Sequence, residues 1–225
     1  MFADLPFHLQ IIPVTPFAQN CSVLIEPDER RAVIIDPGGD AHLIMQALAE
    51  ARATPQAIWL THGHFDHVGG AAQLKEALGV DVLGPHRDDD WLVEHVQEQG
   101  AFFGVDAGRS VTPDRWLSHG EALQIGKAQF KVRHCPGHTP GHVIFVDEAH
   151  RIGFFGDVLF RGSIGRTDFP RGDHAQLLAS IAERILTLPD DFRFIPGHGP
   201  PSTVGEERRS NPYLAELVST WARRG

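Results

Sequence analysis

Cysteine is scarce in this sequence, which has Cys21 and Cys135 among its 225 residues. Two cysteines cannot build a disulfide framework, and such low use suits a reducing compartment. No stretch approaches the roughly 18 consecutive apolar residues of a membrane-spanning helix. Residues 1–10 have neither the basic start nor the apolar run of a signal peptide. We therefore expect a cytoplasmic protein that has no membrane partner.

Positive charge is also in short supply, with 20 lysines and arginines against 29 aspartates and glutamates and a formal net charge of −9. An acidic chain repels phosphate backbones, so nucleic acid is not the expected partner. Hydrophobic residues make up 42% of the chain and charged residues 22%, which excludes disorder, collagen and coiled coil. No linker or low-complexity tract divides the chain, so we predict a single domain over residues 1–225.

Short apolar runs alternate with helical patterns along the chain, which predicts layers of helix packed on sheet. Hairpins around 121–135 and 143–156 require antiparallel pairs, so we expect one mixed sheet or two sheets between helices. The predicted strands cover 21–25, 32–35, 58–60, 82–83, 122–125, 130–133, 143–146, 152–155 and 192–195. The predicted helices lie within 40–48, 71–78, 88–99, 174–188 and 206–221.

Histidine is abundant, with 14 residues, and several stand directly after predicted strands. Four strands end in a turn that carries an imidazole or a carboxylate. These turns cover residues 61–67, 135–138, 156–157 and 196–198. Because open sheets place ligand sites at the carboxyl ends of their strands, we expect the four turns to bring five histidines and two aspartates together.

The first of these turns has the chemistry of a metal site. His62 and His64 alternate in an extended segment, so both side chains point the same way. Gly63 between them lets the backbone come close to an ion. Asp66 and His67 lie on the following turn, within reach of a second ion. Imidazole and carboxylate donors without thiolate suit zinc, iron or manganese, and zinc is the first expectation.

The candidate ligands number seven, which is more than the four that normally close a structural zinc site. They are His62, His64, Asp66, His67, His138, Asp157 and His198. Three imidazoles are predicted to hold a first divalent ion: His62, His64 and His138. Three residues are predicted to hold a second: Asp66, His67 and His198. Asp157 is predicted to bridge the ions, and two such ions about 3.5–4 Å apart can deprotonate one water. Asp66 and Asp157 are the predicted catalytic residues.

Other side chains are assigned more ordinary roles. Metal-bound imidazoles usually donate their second N–H to a carboxylate or carbonyl, and Asp36 and His142 are the predicted supports. Asp36 is equally consistent with a turn residue. The aromatic side chains of Trp91, Phe102 and Phe103 are candidates for the wall of the substrate pocket, although a core role is favoured for them. Isolated histidines are interpreted as surface or satisfied core residues: His8, His42, His86, His95, His119, His150 and His174.

The stretch THGHFDH at 61–67, followed by His138, Asp157 and His198, resembles the metallo-β-lactamase superfamily. The resemblance runs from about residue 20 to residue 212. It implies an α/β fold, the four-layer αβ/βα sandwich, in which two mixed sheets are flanked by helices. It also implies a two-metal site at one edge of the sheets, held by the seven ligands named above.

A finer resemblance is to the short bacterial form of the glyoxalase II (hydroxyacylglutathione hydrolase) branch. It rests on VIIDPG at 33–38, PGHTPGH at 136–142, GRTDF at 165–169 and PGHG at 196–199. It implies that a metal-bridging hydroxide hydrolyses S-D-lactoylglutathione to D-lactate and glutathione, a step of methylglyoxal detoxification. The expected partner is therefore a small anionic thioester, a glutathione conjugate.

The sequence departs from the long glyoxalase II enzymes in two places: the segment after His198 is short, and Arg166 and Asp168 stand where those enzymes have a lysine and a tyrosine. Few residues follow His198, so we expect no separate C-terminal helical domain for glutathione. Arg166 is the predicted anchor of a substrate carboxylate, although it is equally suited to pair with Asp168 or Asp157. Two alternative functions remain open. One is a persulfide dioxygenase of the same fold with a single iron, and the other is a hydrolase of another small thioester or lactone.

Overall fold

The computed structural model describes residues 2–222, and the side chains of residues 220–222 lie outside that description. The single domain predicted over residues 1–225 thus extends beyond the described residues at both ends. Five strands form the first sheet: β1 His8–Val14, β2 Gln19–Ile25, β3 Arg31–Ile35, β4 Thr54–Trp59 and β5 Asp81–Leu83. They lie side by side in chain order. β1, β2 and β3 pair antiparallel, whereas β3, β4 and β5 pair parallel.

Six further strands form the second sheet: β6 Ala122–Ile125, β7 Ala128–His134, β8 Val143–Asp147, β9 Ile152–Gly156, β12 Arg193–Pro196 and β13 Ser202–Thr203. Their order is β13-β12-β9-β8-β7-β6. β9 and β12 pair parallel, and the other neighbours pair antiparallel. A small hairpin joins β10 Leu159–Phe160 to β11 Ser163–Ile164. The predicted architecture of two mixed sheets is confirmed, although the sequence patterns missed β1, β10, β11 and β13.

Eight α-helices lie within residues 2–222: α1 Ala41–Glu50, α2 Phe65–Val68, α3 Ala71–Leu78, α4 Asp90–Glu94, α5 Val96–Phe102, α6 His174–Arg184, α7 Val204–Ser210 and α8 Ala215–Ala222. None of these helices is long and apolar enough to cross a bilayer. Asp173 caps α6 by accepting a hydrogen bond from the backbone N–H of Gln176, as its sequence position predicts. Asp40 precedes α1, but its carboxylate accepts from the backbone of Thr15 instead of capping the helix.

Two predicted helices are interrupted in the structure. The segment 88–99 divides at His95, whose ring nitrogen bonds the carbonyl of Trp91 at 2.7 Å. That side-chain bond uses the carbonyl to which the helical N–H of residue 95 is expected to donate. The segment 206–221 divides before Pro212, because a residue that precedes proline disfavours helical backbone angles. Asn211 is accordingly extended, with φ −73° and ψ 115°.

The packing places the two sheets face to face between helices. A core of aromatic side chains, including Trp59, Phe130, Phe145 and Phe154, fills the space between the sheets. A second core joins the other face of the first sheet to α1 and α3, and a third joins the other face of the second sheet to α6. The result is a four-layer sandwich of helices, sheet, sheet and helices. The carboxyl ends of five strands lie at the same edge of the sandwich: β3, β4, β7, β9 and β12.

Candidate metal centre

The structure brings all seven sequence-predicted ligands together at this edge. Three imidazoles form the first group, which consists of His62, His64 and His138. One ligand atom of each lies within 4.8 Å of the others. His64 Nδ1 and His138 Nε2 are 2.9 Å apart. His64 immediately precedes α2. The start of that helix therefore fixes the position of His64 at the end of the loop that follows β4.

The second group consists of Asp66, His67 and His198, with one ligand atom of each within 4.8 Å of the others. His198 Nε2 is 3.2 Å from Asp66 Oδ2. Asp157 lies against both groups. Its carboxylate is 3.4 Å from His67 Nε2, 3.6 Å from His138 Nε2 and 3.8 Å from His198 Nε2. The carboxylate of Asp157 therefore has the position that a bridge between the two groups requires.

Asp36 contacts the centre through Thr61 and His67. The Asp36 carboxylate accepts the backbone N–H of Thr61 at 2.7 Å and its hydroxyl at 2.6 Å. The same carboxylate lies 2.9 Å from His67 Nδ1, and the Thr61 hydroxyl lies 3.0 Å from His62 Nδ1. Since Asp36 and Thr61 accept from the Nδ1 side, the Nε2 lone pairs of His62 and His67 face the centre.

Two further imidazoles are oriented by backbone carbonyls. His138 Nδ1 donates to the carbonyl of Arg166 at 2.7 Å. His198 Nδ1 donates to the carbonyl of Phe17 at 3.1 Å. A carbonyl can only accept, so each ring carries its proton on Nδ1 and keeps the lone pair on Nε2. Four of the five histidines thus present Nε2 to the centre.

The centre contains buried polar atoms that have no hydrogen-bond partner. They include His62 Nε2, His67 Nε2 and Asp157 Oδ1. Leaving buried polar atoms unpaired is costly, and a cation at this point, either a metal ion or a proton on His67, would pair them. Burial holds the pKa of His62 well below its usual value and lowers the pKa of His64 to about 3. Both imidazoles are therefore neutral, as metal ligation requires.

His67 shows that the centre favours positive charge. Burial opposes a charge on this ring, but the carboxylates of Asp157 and Asp36 raise its pKa well above the usual value. Burial also works against the charge of Asp157, yet the neighbouring His67 keeps the pKa of that carboxyl below its usual range. A proton or a metal ion between these side chains is thus stabilised. The donor set fits a divalent metal, and metal and proton compete for it.

His142 contacts the centre in a way that differs from the sequence prediction. Its ring stacks on His62, with centroids 4.6 Å apart and an interplanar angle of 16°. Its Nε2 accepts the backbone N–H of Asp157 at 3.0 Å. His142 therefore holds the turn of Asp157 rather than accepting a proton from an imidazole. Gly156 leaves room for this contact, since a Cβ there would lie 2.7 Å from the His142 ring and φ is +47°.

Asp89 is a buried carboxylate that the sequence analysis did not single out. It accepts hydrogen bonds from the backbone of Gly63 at 2.9 Å, the hydroxyl of Thr139 at 2.7 Å and the backbone of Gly141 at 2.6 Å. Asp89 thereby joins the two loops that hold the first group. Its place within the acidic run 88–90 gives no signal of this. Gly63, predicted to let the backbone approach an ion, instead makes room for Leu92, whose Cβ would lie 2.6 Å from an added Cβ.

The opening of the centre to solvent, called the mouth below, is lined by Arg166, Phe169 and Phe103. Arg166 pairs with Asp168. Its guanidinium donates two hydrogen bonds to that carboxylate, at 2.7 and 2.6 Å. It also lies over the ring of Phe169, 4.2 Å from the ring centroid. Of the two roles that the sequence left open, the pairing with Asp168 is present. Contact between Arg166 and a substrate carboxylate stays a prediction.

Aromatic rings surround the mouth. Phe169 lies 5.1 Å from the ring of His64, and Phe103 lies 6.3 Å from Phe169 and 6.0 Å from Phe17. The assignment of Phe102 and Phe103 to the core was wrong, since they are 84% and 40% exposed. The short helix α5 ends at Phe102, and its last turn projects from the surface beside the site. Exposed apolar patches of this kind mark binding surfaces.

A four-layer sandwich with His/Asp metal-binding groups at one edge defines a metallohydrolase. The chain belongs to the metallo-β-lactamase superfamily, whose sequence profile matches residues 14–198. The chain is 48% identical to the Haemophilus influenzae protein named hydroxyacylglutathione hydrolase GloC, over 92% of this chain and 98% of the relative.

Two solved structures are similar throughout. One is described as TTHA1623 in a di-iron-bound form, with a TM-score of 0.83 and 38% identity, covering 91% of this chain and 100% of the other. The second is described as BLEG-1 B3 metallo-beta-lactamase, with a TM-score of 0.83 and 39% identity, covering 92% and 100%. The fold and family predicted from the sequence are thus confirmed.

Proposed function

We propose that this protein is a hydrolase that uses two divalent metal ions to cleave a small anionic thioester, with S-D-lactoylglutathione as the leading substrate. One observation carries the proposal: Asp157 lies between two complete ligand groups that present unpaired, buried acceptor atoms. The name of the Haemophilus influenzae relative supports the choice of a glutathione thioester.

The first ion is assigned to His62, His64 and His138, and the second to Asp66, His67 and His198. Asp157 is assigned as the shared ligand. Nitrogen and oxygen donors of this kind suit zinc, iron or manganese, and zinc is our first choice. When bound, two such ions lower the pKa of a shared water and take up charge from the carbonyl oxygen of the substrate.

The residues of the chain position this chemistry. Asp36 and Thr61 hold the Nδ1 protons of His67 and His62, which keeps both rings in one tautomer. His142 fixes the backbone of Asp157. Asp66 and Asp157 supply the negative charge near the reacting water and are the proposed catalytic carboxylates. No serine or cysteine nucleophile is required, and both cysteines are buried.

The mouth of the centre favours a substrate with a charged part and an apolar part. Arg166 supplies the positive charge, and Phe103 and Phe169 supply apolar surface next to the first group. Arg166 is proposed to exchange Asp168 for a substrate carboxylate. Such an exchange costs little, because an ion pair in full contact with water contributes little to stability.

The persulfide dioxygenase alternative requires one redox-active iron, held by two histidines and one carboxylate with open positions. That arrangement leaves the second group without a function. The assembly of Asp66, His67 and His198 within 4.8 Å of one another therefore favours the hydrolase.

The deciding experiment compares the zinc and iron forms under anaerobic and aerobic conditions. We expect the zinc form to cleave S-D-lactoylglutathione without oxygen, and neither form to consume oxygen when glutathione persulfide is added. A panel with other small thioesters, lactones and a β-lactam would define the acyl group. Oxygen uptake on persulfide by the iron form, with no thioester cleavage by either form, would reverse the assignment.

A further inference from the structure

A second cluster of histidines lies outside the metal centre, where β7 ends beside the short 3₁₀ turn Arg87–Asp89. The rings of His86 and His134 stack with centroids 4.2 Å apart and an interplanar angle of 24°. One ligand atom from each of His86, Asp88 and His134 lies within 4.8 Å of the others. The sequence alone indicates a surface or satisfied core histidine at position 86, because residues 86 and 134 are brought together only by the fold.

His86 and Asp88 face each other with lone pairs. The backbone N–H of Asp88 donates to His86 Nδ1 over a long 3.3 Å. The same nitrogen lies 3.3 Å from Asp88 Oδ2, which can only accept. A cation between Nδ1 and Oδ2 would take the one lone pair of Nδ1 in place of this long hydrogen bond.

His134 adds a second neutral imidazole. Its Nε2 donates to the carbonyl of Pro140 at 2.8 Å, which leaves the lone pair on Nδ1. Burial lowers the pKa of His134 below its usual value, so the ring is neutral at pH 7. The exposed ring of His119 lies alongside and accepts the backbone N–H of His134 at 3.2 Å.

We propose that His86, Asp88 and His134 form a further divalent-metal site on the surface of the protein. Two imidazoles and one carboxylate suit zinc, nickel or copper. His86 and Asp88 reach solvent, with side chains 26% and 57% exposed, so water can complete the coordination.

An ion at this site would join the turn at 86–89 to the loop at 134–141. These segments are already linked by hydrogen bonds from the backbone of His86 to Gly141 and from Gly141 to Asp89. The site would therefore brace, from the outside, the loop that leads into His138. The proposal does not rest on the proposed hydrolase function.

The test measures metal stoichiometry by equilibrium dialysis of the metal-loaded protein against buffered free Zn²⁺, followed by elemental analysis. His86→Asn removes one ligand but keeps an acceptor for the N–H of Asp88, since asparagine is a good N-cap. Asp88→Asn removes the carboxylate charge. We expect each variant to bind about one equivalent less than the wild type. His174→Asn, a change at an exposed histidine outside the cluster, should bind as the wild type does.

The expected result is a difference in metal stoichiometry between each variant and the wild type. It therefore does not depend on how many ions the catalytic centre holds. Thioesterase activity of His86→Asn and Asp88→Asn monitors the catalytic centre separately. Equal stoichiometry in the wild type and both variants would overturn the proposal, as would an equal loss in the His174→Asn control.

A second measurement uses the wild type alone, so it does not depend on how the variants fold. Co²⁺ added after weakly held zinc has been removed by dialysis against metal-free buffer should broaden the ring-proton NMR signals of His86 and His134 before those of His8, His42 and His174. Unchanged His86 and His134 signals, or uniform broadening of all exposed histidines, would overturn the proposal.

Discussion

The two ligand groups of the metal centre differ in their donors and in their surroundings. The first group contains imidazoles alone, and His62 and His138 are 0% and 2% exposed. Burial lowers the pKa of all three of its histidines. The second group includes the carboxylate of Asp66 and opens toward solvent, with the His198 side chain 27% exposed. Burial acts against charge on His198 too, but Asp66 and Asp157 raise its pKa.

This difference shows that the two groups are held by different forces. The first group consists of buried, neutral imidazoles, and its geometry depends on the two loops that Asp89 joins. The second group contains its own negative charge and depends on Asp36 for the direction of His67. The carboxylate of Asp157 lies against the inner side of both groups. Substitutions at these three aspartates should therefore separate the groups experimentally.

Removal of the shared carboxylate should have the largest effect. We expect Asp157→Ala to lower thioesterase activity by more than about 100-fold, beyond the usual cost of losing a hydrogen-bond partner of a ligand. Metal content measured by elemental analysis should fall at both groups. His198→Ala is the matched comparison, because it should lose mainly the second ion. An Asp157→Ala protein with both ions and normal turnover would contradict the bridging assignment.

The next largest effect should appear in the pH dependence of stability at Asp89. Burial raises the pKa of this carboxyl to about 6. The folded protein therefore binds more protons at Asp89 than the unfolded chain does between about pH 4 and pH 6. Stability from this residue falls as the pH rises through that window, by at most about 3 kcal/mol.

Asp89→Asn should remove this part of the pH dependence, because the amide does not titrate. Chemical unfolding gives the free energy of unfolding of the metal-free wild type and variant from pH 4 to pH 7. In the difference between the two proteins, the contributions of the other titrating groups cancel. Relative to the wild type, the variant should also lose more metal affinity at the first group than at the second. Parallel stability curves for the two proteins would refute the role of burial at Asp89.

Asp36→Asn should have a smaller effect, and mainly at the second group, because Asp36 contacts His67 directly and His62 only through Thr61. The amide oxygen keeps an acceptor for the backbone N–H of Thr61, but the NH2 group in place of Oδ2 can accept from neither the Thr61 hydroxyl nor His67. We expect about 10–100-fold lower metal affinity or activity. Asparagine tolerates the backbone of this position, where φ is +51°, so the fold should persist. Competition with a chelator would measure the loss at the second group, and an equal loss at the first group would count against separate supports.

The sequence was sufficient to predict the elements that end in ligands. Each of the strands before His62, His138, Asp157 and His198 is a short apolar run followed by glycine, proline or a polar turn, and those local signals placed the residues at one edge. Periodicity alone did not predict β1, whose residues are half-buried rather than alternating cleanly. The residues that orient the ligands were harder to predict, because they are defined by contacts between distant parts of the chain.

Asp89 and Thr61 illustrate the difficulty. Asp89 bonds Thr139 and Gly141, about fifty residues away in sequence, and no local pattern distinguishes it from the neighbouring exposed Asp88. Thr61 adjoins the ligand His62, yet its role depends on Asp36, which the turn after β3 presents. Long-range polar contacts of this kind leave no periodic signal in one sequence.

The smallest expected effect concerns the mouth of the centre, where Arg166 is bound to Asp168. If Arg166 exchanges that partner for a substrate carboxylate, Arg166→Ala should raise KM for glutathione thioesters by about fivefold or less, as suits one exposed ion pair. kcat should change little, because the lost contact is equal in the ground and transition states. Asp168→Ala frees the guanidinium and should lower the same KM. Steady-state kinetics on charged and uncharged thioesters measure both changes. If Arg166→Ala and Asp168→Ala shift KM in the same direction, or shift it equally for the uncharged thioester, the pair supports the loop and does not bind substrate.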